Sequence, residues 1–144
     1  MLEAVAQISQ EFAIPWVRRP FDLPVPGAAS EAPWWTRAAN RGLGLLGSRF
    51  HQILKRHGCR TTDHFAGFQM TGRVRTENLV RLIHQLPQGR TELMCHPGRC
   101  GSELRSAHTR LKESREAELA ALVAPEVRAA LEEAQVRLVS FREL

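Results

Sequence analysis

Tyrosine is absent from this 144-residue chain, and aromatic residues together make up only 6% of it. A surface that stacks exposed bases is therefore not expected. Cysteine is scarce too. Cys59, Cys95 and Cys100 are too few and too irregularly spaced for a disulfide scaffold, so a reducing cytoplasm is the simpler setting. No apolar run approaches the ~20 residues that cross a bilayer, so no transmembrane segment is expected. The N-terminus lacks the basic start and apolar centre of a signal peptide. There is no internal repeat. Charge of one sign is not gathered in one block: the net charge of +5 comes mostly from arginines mixed with glutamates along the chain. A nucleic-acid binder more often concentrates its cations in one stripe with interleaved aromatics, and no nucleic-acid partner is expected. The basic balance favours an anionic environment or partner and names none.

What is present suits one globular core. Hydrophobic residues make up 43% of the chain, and its length allows a single domain. Leu2, Val5, Ile8 and Phe12 recur at near-helical spacing from the first residues on, with no cap before them. The chain thus reads as if it starts in the middle of a larger structure. Residues 13–18 read as a short strand whose proline places it at a strand start or an edge. Residues 21–33 read as a loop rich in proline, glycine and alanine, ending at Trp34-Trp35, a pair expected in the core or a groove, with stacking on a sugar as the alternative. Residues 36–57 have helical character, weakened by Gly42, Gly44 and Gly47, and Gly58 fits a C-cap.

Further on, Thr76 is expected to cap a helix with Leu79, Val80, Leu82, Ile83 and Leu86 on its apolar side, ended by Pro87-Gln88-Gly89. Ser114 is expected to cap another, with Leu119 and Leu122 buried. Pro125 suits the first residue of a third. Residues 136–141 read as a last strand. Helices alternating with short strands predict an α/β fold with a mostly parallel sheet. Four strands are visible where a closed barrel needs about eight, so the chain reads as half of one.

Two stretches carry candidate chemistry. Residues 93–95 read as a buried strand stopped by Pro97-Gly98, which leaves His96 at the strand's carboxyl end. Catalytic groups sit there in parallel α/β folds, and a histidine exchanges protons near neutral pH. The plainer alternative is a histidine satisfying a turn carbonyl. In residues 60–68 we expect a strand whose carboxyl end carries Asp63 and His64, with an Asx-turn and a packed histidine as the alternative. A structural zinc site built from Cys59, His64, Cys95, His96 and Cys100 is disfavoured. There is no Cys-x-x-Cys pair, and neighbours on a strand point opposite ways.

The ordered set Asp63-His64-Phe65-x-Gly67-Phe68, Leu86-Pro87-x-Gly89, Thr91-Glu92-Leu93-Met94-Cys95-His96-Pro97-Gly98 and Ser114-Arg115-Glu116-x-Glu118-Leu119 resembles the YdjC-like carbohydrate deacetylases. So do the opening Ile14-Pro15-x-Val17-Arg18 and the closing Leu138-Val139-Ser140-Phe141-Arg142. The flavour is that of members associated with hopanoid biosynthesis. The resemblance runs over nearly the whole chain.

It implies a distorted β/α barrel that removes acetyl groups from N-acetylated sugars or glycolipids with a divalent metal, magnesium or zinc. The family's ligands, an aspartate of an Asn-Ala-Asp-Asp-like motif and two histidines, belong upstream of the matched segment. No metal-ligating residue is therefore assigned in this chain. His51, His57, His84 and His108 have no spacing that replaces them. The resemblance places His96 at the active site as acid or transition-state stabiliser, with Asp63 and His64 binding substrate on the same rim. It implies a single incomplete domain over residues 1–144, inactive alone, whose partner is a complementing N-terminal half or a second copy. A non-catalytic binding module or vestigial fragment is the alternative.

Overall fold

A computed structural model describes residues 1–23 and 33–144. Most of the expected proline- and glycine-rich loop thus lies outside the described residues. Seven helices and two strands occur among the described residues. In chain order they are α1 (Leu2–Glu11), α2 (Trp34–Gly44), α3 (Gly47–Arg56), β1 (His64–Ala66), α4 (Thr76–His84), β2 (Thr91–Leu93), α5 (Ser102–Ser106), α6 (Glu113–Leu122) and α7 (Pro125–Glu133).

The α/β expectation holds at its centre. β1 and β2 are parallel, pairing His64 with Thr91, Phe65 with Glu92 and Ala66 with Leu93. Parallel neighbours need a crossover, and α4 supplies it. Glu77 in its first turn and Arg81 and His84 in its last complement the helix dipole. Its inner face, Leu79, Leu82 and Ile83, is buried and packs on α7, which begins at Pro125 as expected and buries Val127 and Ala130. Ala66, Met70, Val74 and Ala121 complete this core. A smaller cluster of Val17, Phe50 and Leu54 joins the segment after α1 to α3, with Leu2, Phe21 and Cys59 packed around it.

Several local expectations are corrected. The first helix forms, but Val5, Ile8 and Phe12 are exposed; Ala6 and Ser9 face inward, because α1 docks closely on α3 through small side chains. Residues 13–18 make a single parallel bridge, Trp16 to Arg60, flanked by Val17 N–H to the Arg60 carbonyl (2.8 Å) and Arg60 N–H to the Pro15 carbonyl (2.6 Å). Pro15 has no N–H to extend that ladder. A second single bridge joins Asp22 to Phe65.

The helix expected over residues 36–57 breaks at Leu45 and Leu46 into α2 and α3, amid its three glycines. Gly58, at φ +63°, closes α3 as expected. Thr76 and Ser114 lie inside their helices and not at the caps. On α6 the buried residues are Glu118 and Ala121, with Leu119 and Leu122 half-buried. β2 begins two residues earlier than expected, although Met94 N–H still bonds the Ala66 carbonyl at 2.8 Å. Residues 136–141 form no strand: no described strand edge pairs with them, and Leu138, Val139 and Phe141 are exposed. Phe141 does meet the Trp16 ring, centroid to centroid at 6.1 Å.

Candidate functional site

The carboxyl ends of β1 and β2 open side by side. Gly67 ends β1 at φ +119°, and a Cβ there would run into the Met94 carbonyl oxygen. Only glycine therefore lets the two exits lie so close. Beyond them run two turns, residues 67–72 after β1 and 94–98 after β2.

Two buried carboxylates hold these turns from either side. Asp22 accepts the N–H of Gln69 at 2.8 Å and of Phe68 at 3.3 Å. Its own main chain is bracketed by the Asn40 amide, which accepts the Asp22 N–H at 3.0 Å and donates to the Asp22 carbonyl at 3.3 Å. Burial pushes the Asp22 carboxyl above the usual carboxylate range, against the lowering by its N–H donors. Glu118 comes from α6 and is 1% exposed. One of its oxygens accepts the Gly72 N–H at 3.0 Å and the other the His96 N–H at 2.6 Å. A single side chain thus fastens both strand exits together. Nearby, burial and then the Glu118 charge push the Cys95 thiol up, which keeps it a thiol and a poor nucleophile or metal ligand near neutral pH.

His96 sits on the wall of a cavity of about 730 Å³, whose lining includes Trp35, Phe68, Gln69, Arg73 and Arg110. Its Nδ1 is buried and has no hydrogen-bond partner among the described residues. Proton exchange with a ligand in the cavity would run through the other ring nitrogen, because Nδ1 is shut off from the open space. Both tryptophans are exposed and neither enters a core; Trp35 lines this cavity, which agrees with the groove reading of the pair.

Asp63 and His64 are elsewhere. They stand at the amino end of β1, which corrects the expectation of its carboxyl end. The parallel register sets His64 beside Thr91, at the far end of the sheet from His96. There Asp63 accepts the Arg90 N–H at 2.9 Å, and the His64 ring lies 3.1 Å from the Gln88 carbonyl. Gly89, at φ +115°, turns the chain tightly over the Asp63 carboxylate. Both side chains thus hold the turn that feeds β2.

Asp22 and Glu118 were not singled out as site residues from the sequence. A signal existed for Glu118. With Ser114 and Ala121 it lies at helical spacing on the inner stripe of α6, where an acid is out of place unless it meets donors. For Asp22 there was none, because its partners are main-chain groups more than forty residues away.

Among the described residues no group of three or more His, Cys, Asp and Glu side chains is placed to hold a metal ion. The described residues therefore do not fit the metal of a deacetylase.

No curated protein and no solved structure matches the chain. The family model described as YdjC-like protein matches residues 1–133, almost the whole chain. That match, together with a parallel strand pair whose exits carry His96, makes the chain a member of the YdjC-like family, which is generally related to carbohydrate deacetylases.

Proposed function

We propose that this chain carries the His96 side of the active site of a carbohydrate deacetylase. The observation that carries the reading is the place of His96 in the wall of a cavity at the carboxyl ends of parallel strands. The substrate is an N-acetylated sugar or glycolipid. Trp35 and Phe68 offer apolar faces for a sugar ring. In the reaction, water adds to the acetyl carbonyl and the C–N bond then breaks. The departing nitrogen takes a proton and acetate is left. His96 is the group that supplies that proton or a hydrogen bond to the developing oxyanion.

The β1–α4–β2 unit is read as part of a β/α barrel, and the enzyme as cytoplasmic and linked to hopanoid synthesis. Because the described residues do not fit a metal, the magnesium or zinc of such an enzyme is assigned to a complementing polypeptide, and the chain alone is inactive. Asp63 and His64 are assigned to holding the turn before β2, not to the substrate.

The test is acetate release from N-acetylated mono- and disaccharides. It is measured for the purified chain with and without magnesium or zinc, and for the chain co-expressed with the N-terminal half of a YdjC-like protein. Release is expected only in the second case, reduced at least about a hundredfold by His96→Asn and unchanged in substrate affinity by Asp63→Ala. Full activity of the His96 variant would overturn the assignment. Absence of release in every sample would favour a non-catalytic binding module.

A further inference from the structure

The arginines are less evenly spread than they first look. Residues 33–62 contain Arg37, Arg41, Arg49, Lys55, Arg56 and Arg60 and no Asp or Glu. Elsewhere the chain has 14 basic and 15 acidic residues, so its positive excess belongs to this one interval. The interval is α2 and α3 with the residues that flank them.

The outward face of α2 is unusual for a helix in water. At 100° per residue, Trp34, Arg37, Arg41 and Leu45 fall on one stripe, and all four are exposed. Trp34 is 79% and Leu45 87% exposed, and Leu46 stands exposed beside Leu45 at the bend into α3. Thr36, on the opposite side, is buried, so the stripe is the true outer face. An aromatic at one end, two leucines at the other and arginines between put cations and apolar side chains on one exposed face, the two kinds of group that hold a peripheral segment to an anionic lipid surface. Arg49 borders the same shallow depression as Leu45 and Leu46. Arg56 and Glu3 line that depression too, paired to each other at 2.9 Å, so Glu3 is already neutralised there.

We infer that the outer face of α2 and the bend into α3 form a docking surface for an anionic membrane. Charge complementarity identifies the occupant: Arg37, Arg41 and Arg49 attract anionic headgroups while the one acid at the depression, Glu3, is paired with Arg56, and Trp34, Leu45 and Leu46 enter the apolar boundary beneath them. A nucleic acid would use the arginines and gain nothing from a pair of exposed leucines. No helix among the described residues is long and apolar enough to cross a bilayer, so the contact is peripheral. The opposite edge of α2 lends Trp35 to the cavity, which puts that cavity beside the lipid surface. The inference stands on charge and exposure and holds whether or not the chain serves a deacetylase.

The test is flotation of the purified chain with vesicles of phosphatidylcholine alone and of phosphatidylcholine with about a third phosphatidylglycerol. Binding is expected only to the second, weakening as salt is raised. At about fivefold per cation, Arg37→Gln/Arg41→Gln should weaken it on the order of twentyfold to thirtyfold and flatten its salt dependence. Leu45→Ser/Leu46→Ser should weaken it with the salt dependence kept. Trp34→Gln is a single-site check on a residue outside both core clusters. Urea midpoints equal to that of the parent chain show that the variants fold. No binding to phosphatidylglycerol vesicles at low salt would overturn the inference. So would binding indifferent to the leucine and tryptophan changes together with displacement by duplex DNA, which would make this a nucleic-acid face.

Discussion

Glu118 shows how much one side chain organises here. Its two oxygens are each committed to a main-chain N–H, of Gly72 and of His96, in a place water does not reach. Glutamine keeps the shape but only one acceptor, and turns an NH2 toward the other donor. Glu118→Gln is therefore expected to cost about 1–3 kcal/mol, read from a urea midpoint. Amide exchange should quicken at His96 or Gly72 while α7 stays protected. Asp22 gives a pH signature. Its carboxyl is raised by burial in the folded chain, so its contribution to stability is full below the unfolded value of about 3.8 and is lost as pH rises through the folded one. The stability difference between the parent and Asp22→Asn should therefore move in favour of the variant as pH rises from about 4 to 7. A flat difference across that window would show that the N–H donors outweigh burial.

Glycines separate the elements by what surrounds them. Gly67 has positive φ and lies against Met94, so Gly67→Ala should either prevent folding or cost more than about 3 kcal/mol, since the parallel pair would have to part. Gly42 sits within α2 with nothing within 4 Å of an added Cβ. Gly42→Ala should stabilise by about 0.5–1 kcal/mol. Thermal melts of the two variants test the pair together.

The same elements show what could be read from the sequence. α4 was legible because Leu79, Leu82 and Ile83 repeat at its own period and Glu77 marks its start. α7 was announced by Pro125. Pro97-Gly98 marked the exit that carries His96, although β2 stops at Leu93, two residues before the end that the apolar run 93–95 suggests. The strands expected at 13–18 and 136–141 depend on a partner edge that their own residues do not specify: the first finds a single bridge, Trp16 to Arg60, and the second finds no pairing among the described residues. Asp63 and His64 stand at the amino end of β1 and not at its carboxyl end, because a three-residue strand has too little pattern to show where it begins.

Across the whole molecule, burial is uneven. The larger core joins α4, α6 and α7 to the sheet exits, while the smaller one, Val17, Phe50 and Leu54, holds α1 and α3. Two levels of protection are therefore expected in native-state amide exchange, with α4 and α7 slowest and α1 to α3 opening at lower free energy. Leu79→Ala, at a fully buried position, should cost about 2–5 kcal/mol and lower both levels, whereas Phe50→Ala should mainly release the smaller cluster. One uniform class of exchange would show a single cooperative unit instead. The cavity with His96 lies on the better-buried side, held by Glu118, and Trp35 reaches it from the looser one.

The two carboxylate fasteners also bear on the order of assembly. β1, α4 and β2 are consecutive, so their contacts close short loops, but Asp22 and Glu118 must arrive from distant parts of the chain on either side. Short closures form early and long ones late. The fasteners then belong to the descent after the transition state, and their removal should leave the refolding rate nearly unchanged while hastening unfolding. In a chevron, that loss would tilt nothing on the left arm and raise the right.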